Sequence, residues 1–306
     1  MSGHDHDQGC AGHPHAPKDF GAAFAIGTAL NFALVIAQVV FGLFAHSLAL
    51  IADAGHNLSD VLGLLLAWGA TFLARSAPTE RRTYGMRSSS ILAALFNAIL
   101  LLVSVGAITL EALRRFKTPA PVAGTTVVWV AALGILINGV TAFLFMSGRK
   151  GDLNIRGAFM HMAADAVISA GVVVAGIAIL LTGKQWIDPA MSLVISAVIV
   201  WGTWDLLRDS MNLALQAVPE NINTASVRRY LAALPDVVEV HDLHIWPMST
   251  TQTALTAHLV RTTDRCDCEL LEQAARELHD RFAIEHSTIQ FEIAGHDCHL
   301  APEAKV

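Results

Sequence analysis

"SLALIADAGHNLSDVLGLLLAWGA", Ser47 to Ala70, is almost wholly apolar, yet Asp53, His56 and Asp60 stand within it at helical spacing. About 20 helical residues cross a bilayer core of about 30 Å, so the stretch reads as part of a membrane span. Apolar runs of sufficient length recur six times, over 20–44, 48–74, 88–111, 124–147, 155–181 and 189–207. The first, third and fourth lack ionisable side chains in their interiors, whereas the fifth holds His161 and Asp165. Composition agrees with a chain that lives mostly in lipid: 54% of its 306 residues are hydrophobic and 15% charged, and the mean hydropathy is +0.50.

The first 19 residues are polar and His-rich, and the apolar run behind them is too long for a cleavable leader. Arg75, Arg81, Arg82 and Arg87 between spans two and three, and Arg149, Lys150 and Arg156 between spans four and five, outnumber the basic residues of the opposite loops. The positive-inside rule then puts both termini in the cytoplasm, in a cell membrane. All four cysteines, Cys10, Cys266, Cys268 and Cys298, would face a reducing compartment, where free thiols or metal ligands are expected rather than disulfides. The net charge of −6 and the lack of a basic stripe exclude nucleic acid as a partner.

The sequence predicts four segments: a disordered His-rich tail over 1–18, a six-helix transmembrane domain over 19–217, a cytoplasmic domain over 218–294 and a tail over 295–306. Within the third, "TASVRRYLAALP" has helical periodicity, "VVEVHDLHIW" and "TALTAHLVRT" alternate as strands, "CELLEQAARELHDRF" is amphipathic and "STIQFEI" alternates again. The order α-β-β-α-β predicts a two-layer α+β fold. Histidine-rich tracts such as "GHDHDQGCAGHPHAPK" can hold metal loosely.

Residues four apart share a helix face, so His56 with Asp60 and His161 with Asp165 each form a pair. Counting about 1.5 Å per residue along antiparallel spans, the two pairs meet near the midplane. Two imidazoles and two carboxylates suit tetrahedral Zn²⁺ rather than the all-oxygen shells of Ca²⁺ or Mg²⁺; Cd²⁺, Co²⁺ and Ni²⁺ stay open. The structural alternative is that each His and Asp hydrogen-bond one another within the bundle, although a carboxylate at bilayer centre costs about 2.5–3.5 kcal/mol even on the lenient scale. Asp53, on the same face about 10 Å from the midplane, either attracts ions at an outer mouth or is satisfied by neighbouring hydroxyls. Asn31, Gln38 and Asn97 are read as interhelical hydrogen-bonding groups, and Glu111 as the ion-pair partner of Arg114 and Arg115. No H-E-x-x-H base accompanies the pairs, so an intramembrane hydrolase is not expected.

"SLALIADAGHNLSD", "HMAADAVISAGVV" and the tail "VHDLHIW...LTAHLV...HSTIQFE" resemble the cation diffusion facilitators, both bacterial zinc, cadmium and cobalt efflux members and animal zinc transporters. The resemblance implies a homodimer of six-helix protomers that exchanges cytoplasmic metal for outside protons, with a metallochaperone-like cytoplasmic domain and Zn²⁺ as cargo rather than cofactor. It implies that His56, Asp60, His161 and Asp165 form the transport site. It also implies a cytoplasmic site of His241, His258 and Glu292 taking Zn²⁺ as a regulatory ligand; half-buried strand histidines are the alternative there. Cys298, His299, His13 and His15 are further candidates from the two chain ends. The loop "PTERRTYGMR" lacks the Asp and His that another family site requires. Rival readings are the same transport with Mn²⁺, Fe²⁺, Co²⁺ or Ni²⁺, and a metal sensor that transports nothing.

Overall fold

A computed structural model describes residues 21–74, 76–146, 153–263, 268–295 and 298. His13, His15 and His299 lie outside them. Six long helices come first: α1 (Gly21–Phe44), α2 (Leu48–Ala74), α3 (Ser89–Lys117), α4 (Gly124–Phe145), α5 (Leu153–Thr182) and α6 (Ile187–Ala214). Among the described residues, α1, α3, α4, α5 and α6 are long and apolar enough to cross a membrane. Large apolar side chains such as Phe32, Leu92, Trp129, Leu181 and Trp201 face outward, as lipid contact demands. Small and polar side chains, among them Asn31, Gln38, Asn97, Asn138 and Ser169, lie inside. α3 extends six residues beyond its apolar run and α6 seven, because hydropathy marks only the lipid-facing length and says nothing of a helix that continues into the interface.

The turn from α1 to α2 shows how backbone groups are satisfied where water is scarce. His46 takes the left-handed conformation (φ 52°), so that its N–H donates to Leu43 O and the Ser47 N–H to Gly42 O, the Schellman pattern. Ser47 then caps α2: its Oγ accepts from the Leu50 N–H at 3.2 Å. Asp188, one residue into α6, takes the neighbouring donors, with Ser47 Oγ at 2.5 Å, Leu48 N at 2.7 Å and Ala49 N at 3.4 Å. The start of α2 is therefore held by a carboxylate from a different helix.

α4 packs most closely on α5, and α3 on α6. Bare glycine backbone permits the first contact: a Cβ at Gly176 would lie 2.8 Å from Val128 Cγ2, and one at Gly124 would lie 3.1 Å from Gly176 O. Glu111 pairs with Arg115 at 3.3 Å and Arg114 at 3.8 Å, and Arg115 also donates to His46 O.

The remaining elements are α7 (Thr224–Ala232), β1 (Val237–Pro247), β2 (Thr253–Arg261), α8 (Cys268–Phe282) and β3 (His286–Ile293), in the order expected from the alternation. The sheet runs β1-β2-β3, with β2 antiparallel to β1 and parallel to β3. Leu231 of α7, Leu278 of α8 and Leu255 and Leu259 of β2 are fully buried between sheet and helices, each contributing roughly 1.5–3 kcal/mol. The β1–β2 turn meets the start of α3, where Ser88 Oγ donates to Met248 O at 3.2 Å and the Thr250 N–H donates to Ser90 Oγ at 3.1 Å. This domain thus sits at the end of the bundle where α2 ends and α3 begins.

Candidate metal centres

Inside the bundle, the two i,i+4 pairs cross. His56 Nε2 lies 3.1 Å from Asp165 Oδ1, and His161 Nε2 lies 3.1 Å from Asp60 Oδ2. The same-helix distances are longer, 3.9 Å for His56 to Asp60 and 3.7 Å for His161 to Asp165. Each carboxylate therefore faces both imidazoles, whose rings meet edge to face with centroids 5.9 Å apart. Ligand atoms of His56, Asp60 and Asp165 fall within 4.8 Å of one another, a spacing a single ion can bridge.

Exposure is graded across the cluster. The His161 and Asp60 side chains are 41% and 30% exposed, His56 18% and Asp165 1%. The exposed side opens into a cavity of about 450 Å³ lined by Asn31, Asn57, Asp60, Asn97, Thr141 and His161. Asn97, Thr141 and His161 lie toward the ends of α3, α4 and α5 nearest the α+β domain, whereas Asn31, Asn57 and Asp60 stand nearer mid-helix, so the cavity runs from the cluster toward that domain. The other side is closed. Asp53 is not at a mouth: it is fully buried, and its Oδ2 accepts from Gln38 Nε2 at 2.5 Å and Ser169 Oγ at 3.3 Å. The outer-mouth expectation therefore gives way to its alternative, because Gln38 and Ser169 supply the donors that a surface carboxylate would take from water. Gln38 joins helices as expected, as do Asn97, through Ser59 Oγ at 3.4 Å, and Asn31, through Met162 Sδ at 3.4 Å.

A second cluster lies in the α+β domain. His241 of β1 and His258 of β2 are cross-strand partners, with rings 5.3 Å apart. Glu292 of β3 approaches both, Oε1 at 2.9 Å from His258 Nδ1 and Oε2 at 3.2 Å from His241 Nε2. Cys298 joins them with Sγ 3.8 Å from His258 Nδ1, and the four ligand atoms fall within 4.8 Å. Burial raises the Glu292 carboxyl, but a hydrogen bond from Cys298, the charge of His241 and a hydrogen bond from Gln290 outweigh it, and the group is held below the usual glutamate range. Glu292 is thereby kept anionic, the form in which a carboxylate ligates metal.

Strand alternation did not foretell Asp242. Strict period two would turn it away from His241, but the pairing shifts between His241 and His244, and Asp242 sits at φ 48° in that bulge. Its carboxylate reaches His258 Nε2 at 3.4 Å and His244 Nε2 at 2.9 Å. Asp188 was also missed: "IDP" signals only a helix start, and no local pattern tells that its carboxylate caps another helix.

A multi-pass membrane protein with a two-histidine, two-carboxylate cluster inside its bundle and an appended α+β domain is thus defined by fold and site together. The chain belongs to the cation efflux, or cation diffusion facilitator, family of transporters. The cation efflux transmembrane domain matches residues 24–213, and the cation efflux protein cytoplasmic domain matches residues 219–294. It is 38% identical over 286 residues to the metal cation efflux system protein CzcD of Cupriavidus metallidurans, covering 93% of this chain and 90% of that protein. It is 37% identical over 294 residues to the zinc transporter ZitB of Escherichia coli, covering 94% and 93%. It is 33% identical over 292 residues to a cadmium, cobalt and zinc/H(+)-K(+) antiporter of Bacillus subtilis, again covering 94% and 93%.

Proposed function

We infer that the protein exports divalent zinc from the cytoplasm in exchange for protons, with His56, Asp60, His161 and Asp165 as the transport site. The observation that carries this reading is the crossed pairing at 3.1 Å, which brings ligand atoms of His56, Asp60 and Asp165 within 4.8 Å of one another and sets His161 against Asp60 beside them. Two nitrogen and two oxygen donors suit tetrahedral Zn²⁺. Cadmium and cobalt are further cargoes on the same chemistry, and the names of the bacterial relatives support that range.

Charge explains the coupling. Two ionised aspartates with neutral histidines sum with Zn²⁺ to zero, whereas the same site without cation leaves two negative charges in a water-poor bundle. Ligands shed protons to take metal, so metal binding and proton release are linked. Both the loaded and the protonated forms can then switch between inward and outward access, while the bare dianion switches poorly, and antiport follows. With both termini in the cytoplasm, as the loop arginines favour, the cavity on the α+β side is the cytoplasmic entrance. Everted bacterial membrane vesicles containing the protein should accumulate Zn²⁺ while their interior is acidic and lose that accumulation when nigericin collapses the pH gradient. Undiminished uptake after collapse would refute coupling.

The His241, His258, Glu292 and Cys298 cluster is proposed as a regulatory zinc site in a homodimer, raising transport when cytoplasmic zinc is high. A His241→Ala, His258→Ala double variant should lose the steep dependence of transport rate on cytoplasmic-side zinc in proteoliposomes. An unchanged dependence would exclude this role.

A further inference from the structure

The transport site leaves one buried carboxylate of α2 unused, and the surroundings of that group are built. Three polar contacts step along α2 and α5, the helices that carry the ligand pairs. Asp60 meets His161 on the access side, His56 meets Asp165 next, and Asp53 meets Ser169 on the closed side. Asp53 precedes His56 by three residues and Ser169 follows Asp165 by four, so the third contact lies roughly 5 Å, one helical turn, beyond the ligands.

Two more helices converge there. Gln38 of α1 donates to Asp53 Oδ2 at 2.5 Å and accepts from Asn57 Nδ2 at 3.0 Å, which fixes the orientation of its amide. α4 lays bare backbone against the pair: a Cβ at Gly134 would lie 2.8 Å from Ser169 Oγ and 3.8 Å from Gln38 Nε2. Gln38, Asp53 and Ser169 are fully buried and Asn57 is 1% exposed. Both donors to the carboxylate aim at Oδ2, and Oδ1 has no hydrogen-bond partner among the described residues. Placing a carboxylate with incomplete pairing in such an interior is costly, so a role beyond helix cohesion is indicated.

We propose that Asp53 is a positioning residue for the transport site: with Gln38 and Ser169 it forms a crossbar of fixed length between α2 and α5, and so sets the size of ion that the four ligands can enclose. The proposal rests on the transport-site reading above. Zinc requires its nitrogen and oxygen ligands at about 2.0–2.2 Å, so a small change in the spacing of α2 and α5 is felt directly. Relaxing the crossbar lets the ligands part, which weakens zinc binding and favours the larger Cd²⁺.

The test is initial-rate uptake of Zn²⁺ and of Cd²⁺ by the full-length protein in proteoliposomes. Asp53→Ala should raise KM for zinc by up to about 10-fold, the low end of the range for loss of a group bonded to a ligand itself, with a much smaller change in kcat and a shift of preference toward cadmium. Asp53→Asn keeps an acceptor oxygen for Gln38 and Ser169 and should recover most of the loss. Ser169→Ala should move KM in the same direction by less, and combining it with Asp53→Ala should add little. Wild-type KM and ion preference in Asp53→Ala, or Asn as damaging as Ala, would overturn the crossbar. Should Asp53→Ala not fold, Ser169→Ala alone decides: unchanged KM and preference overturn the proposal. Asp165→Ala in parallel separates the two claims, since wild-type uptake by that variant sinks the site itself, whereas its failure beside an unaffected Asp53→Ala sinks only the crossbar.

Discussion

Zinc uptake into proteoliposomes is expected to vanish in Asp165→Ala. Asp165 is the most buried of the four proposed ligands, and its two oxygens face both imidazoles, at 3.1 and 3.7 Å. Removing it takes away a direct ligand and leaves the loaded site with a net positive charge inside the bundle. The loss should exceed the roughly 10–100-fold that follows from deleting an outer-shell partner. Volume alone does not restore function at this position: Asp165→Asn keeps the volume but supplies a neutral, weaker oxygen donor, and should fail nearly as completely. Uptake at even a tenth of the wild-type rate in Asp165→Ala would show that the ion does not depend on this carboxylate.

The second large effect is expected at Asp188, outside the proposed transport site. Its carboxylate takes Ser47 Oγ and the Leu48 and Ala49 N–H groups at the start of α2. Asp188→Ala would strand these buried donors at roughly 1–3 kcal/mol for each one left unpaired, and fray the first turn of the helix that carries His56 and Asp60. The thermal unfolding midpoint in detergent should fall by several degrees, and uptake should fall with it. Asp188→Asn retains one acceptor oxygen and should lie between the two. An unchanged midpoint in Asp188→Ala would mean that other groups satisfy the start of α2.

Much of the architecture is legible in the residues because its signals are local. Six apolar runs announce six helices, and alternation in "VHDLHIW" and "TAHLV" announces β1 and β2. The spacing of His56 to Asp60 and of His161 to Asp165 places each pair on one helix face, and the antiparallel order of spans brings the faces together. What escaped notice depends on partners distant in sequence. Sequence leaves Asp53 open between an outer-mouth carboxylate and one satisfied by neighbours, and only Gln38, fifteen residues earlier, and Ser169, 116 residues later, enclose it. Asp242 reaches His258 only through a bulge, and period-two reasoning assigns it to the opposite face. Asp188 serves a helix 140 residues away. Local pattern names the ligands, and three-dimensional packing names the groups that hold them in place.

The central claim is that a divalent ion sits among His56, Asp60, His161 and Asp165. X-ray absorption at the zinc edge measures this most directly, on full-length protein carrying His241→Ala and His258→Ala and loaded with one equivalent of Zn²⁺. The expected spectrum has four nitrogen and oxygen scatterers at about 2.0–2.1 Å, two with the outer-shell signature of imidazole, and loses that form when Asp165→Ala is added. A sulfur scatterer, a six-coordinate oxygen shell or a spectrum indifferent to Asp165→Ala would contradict it.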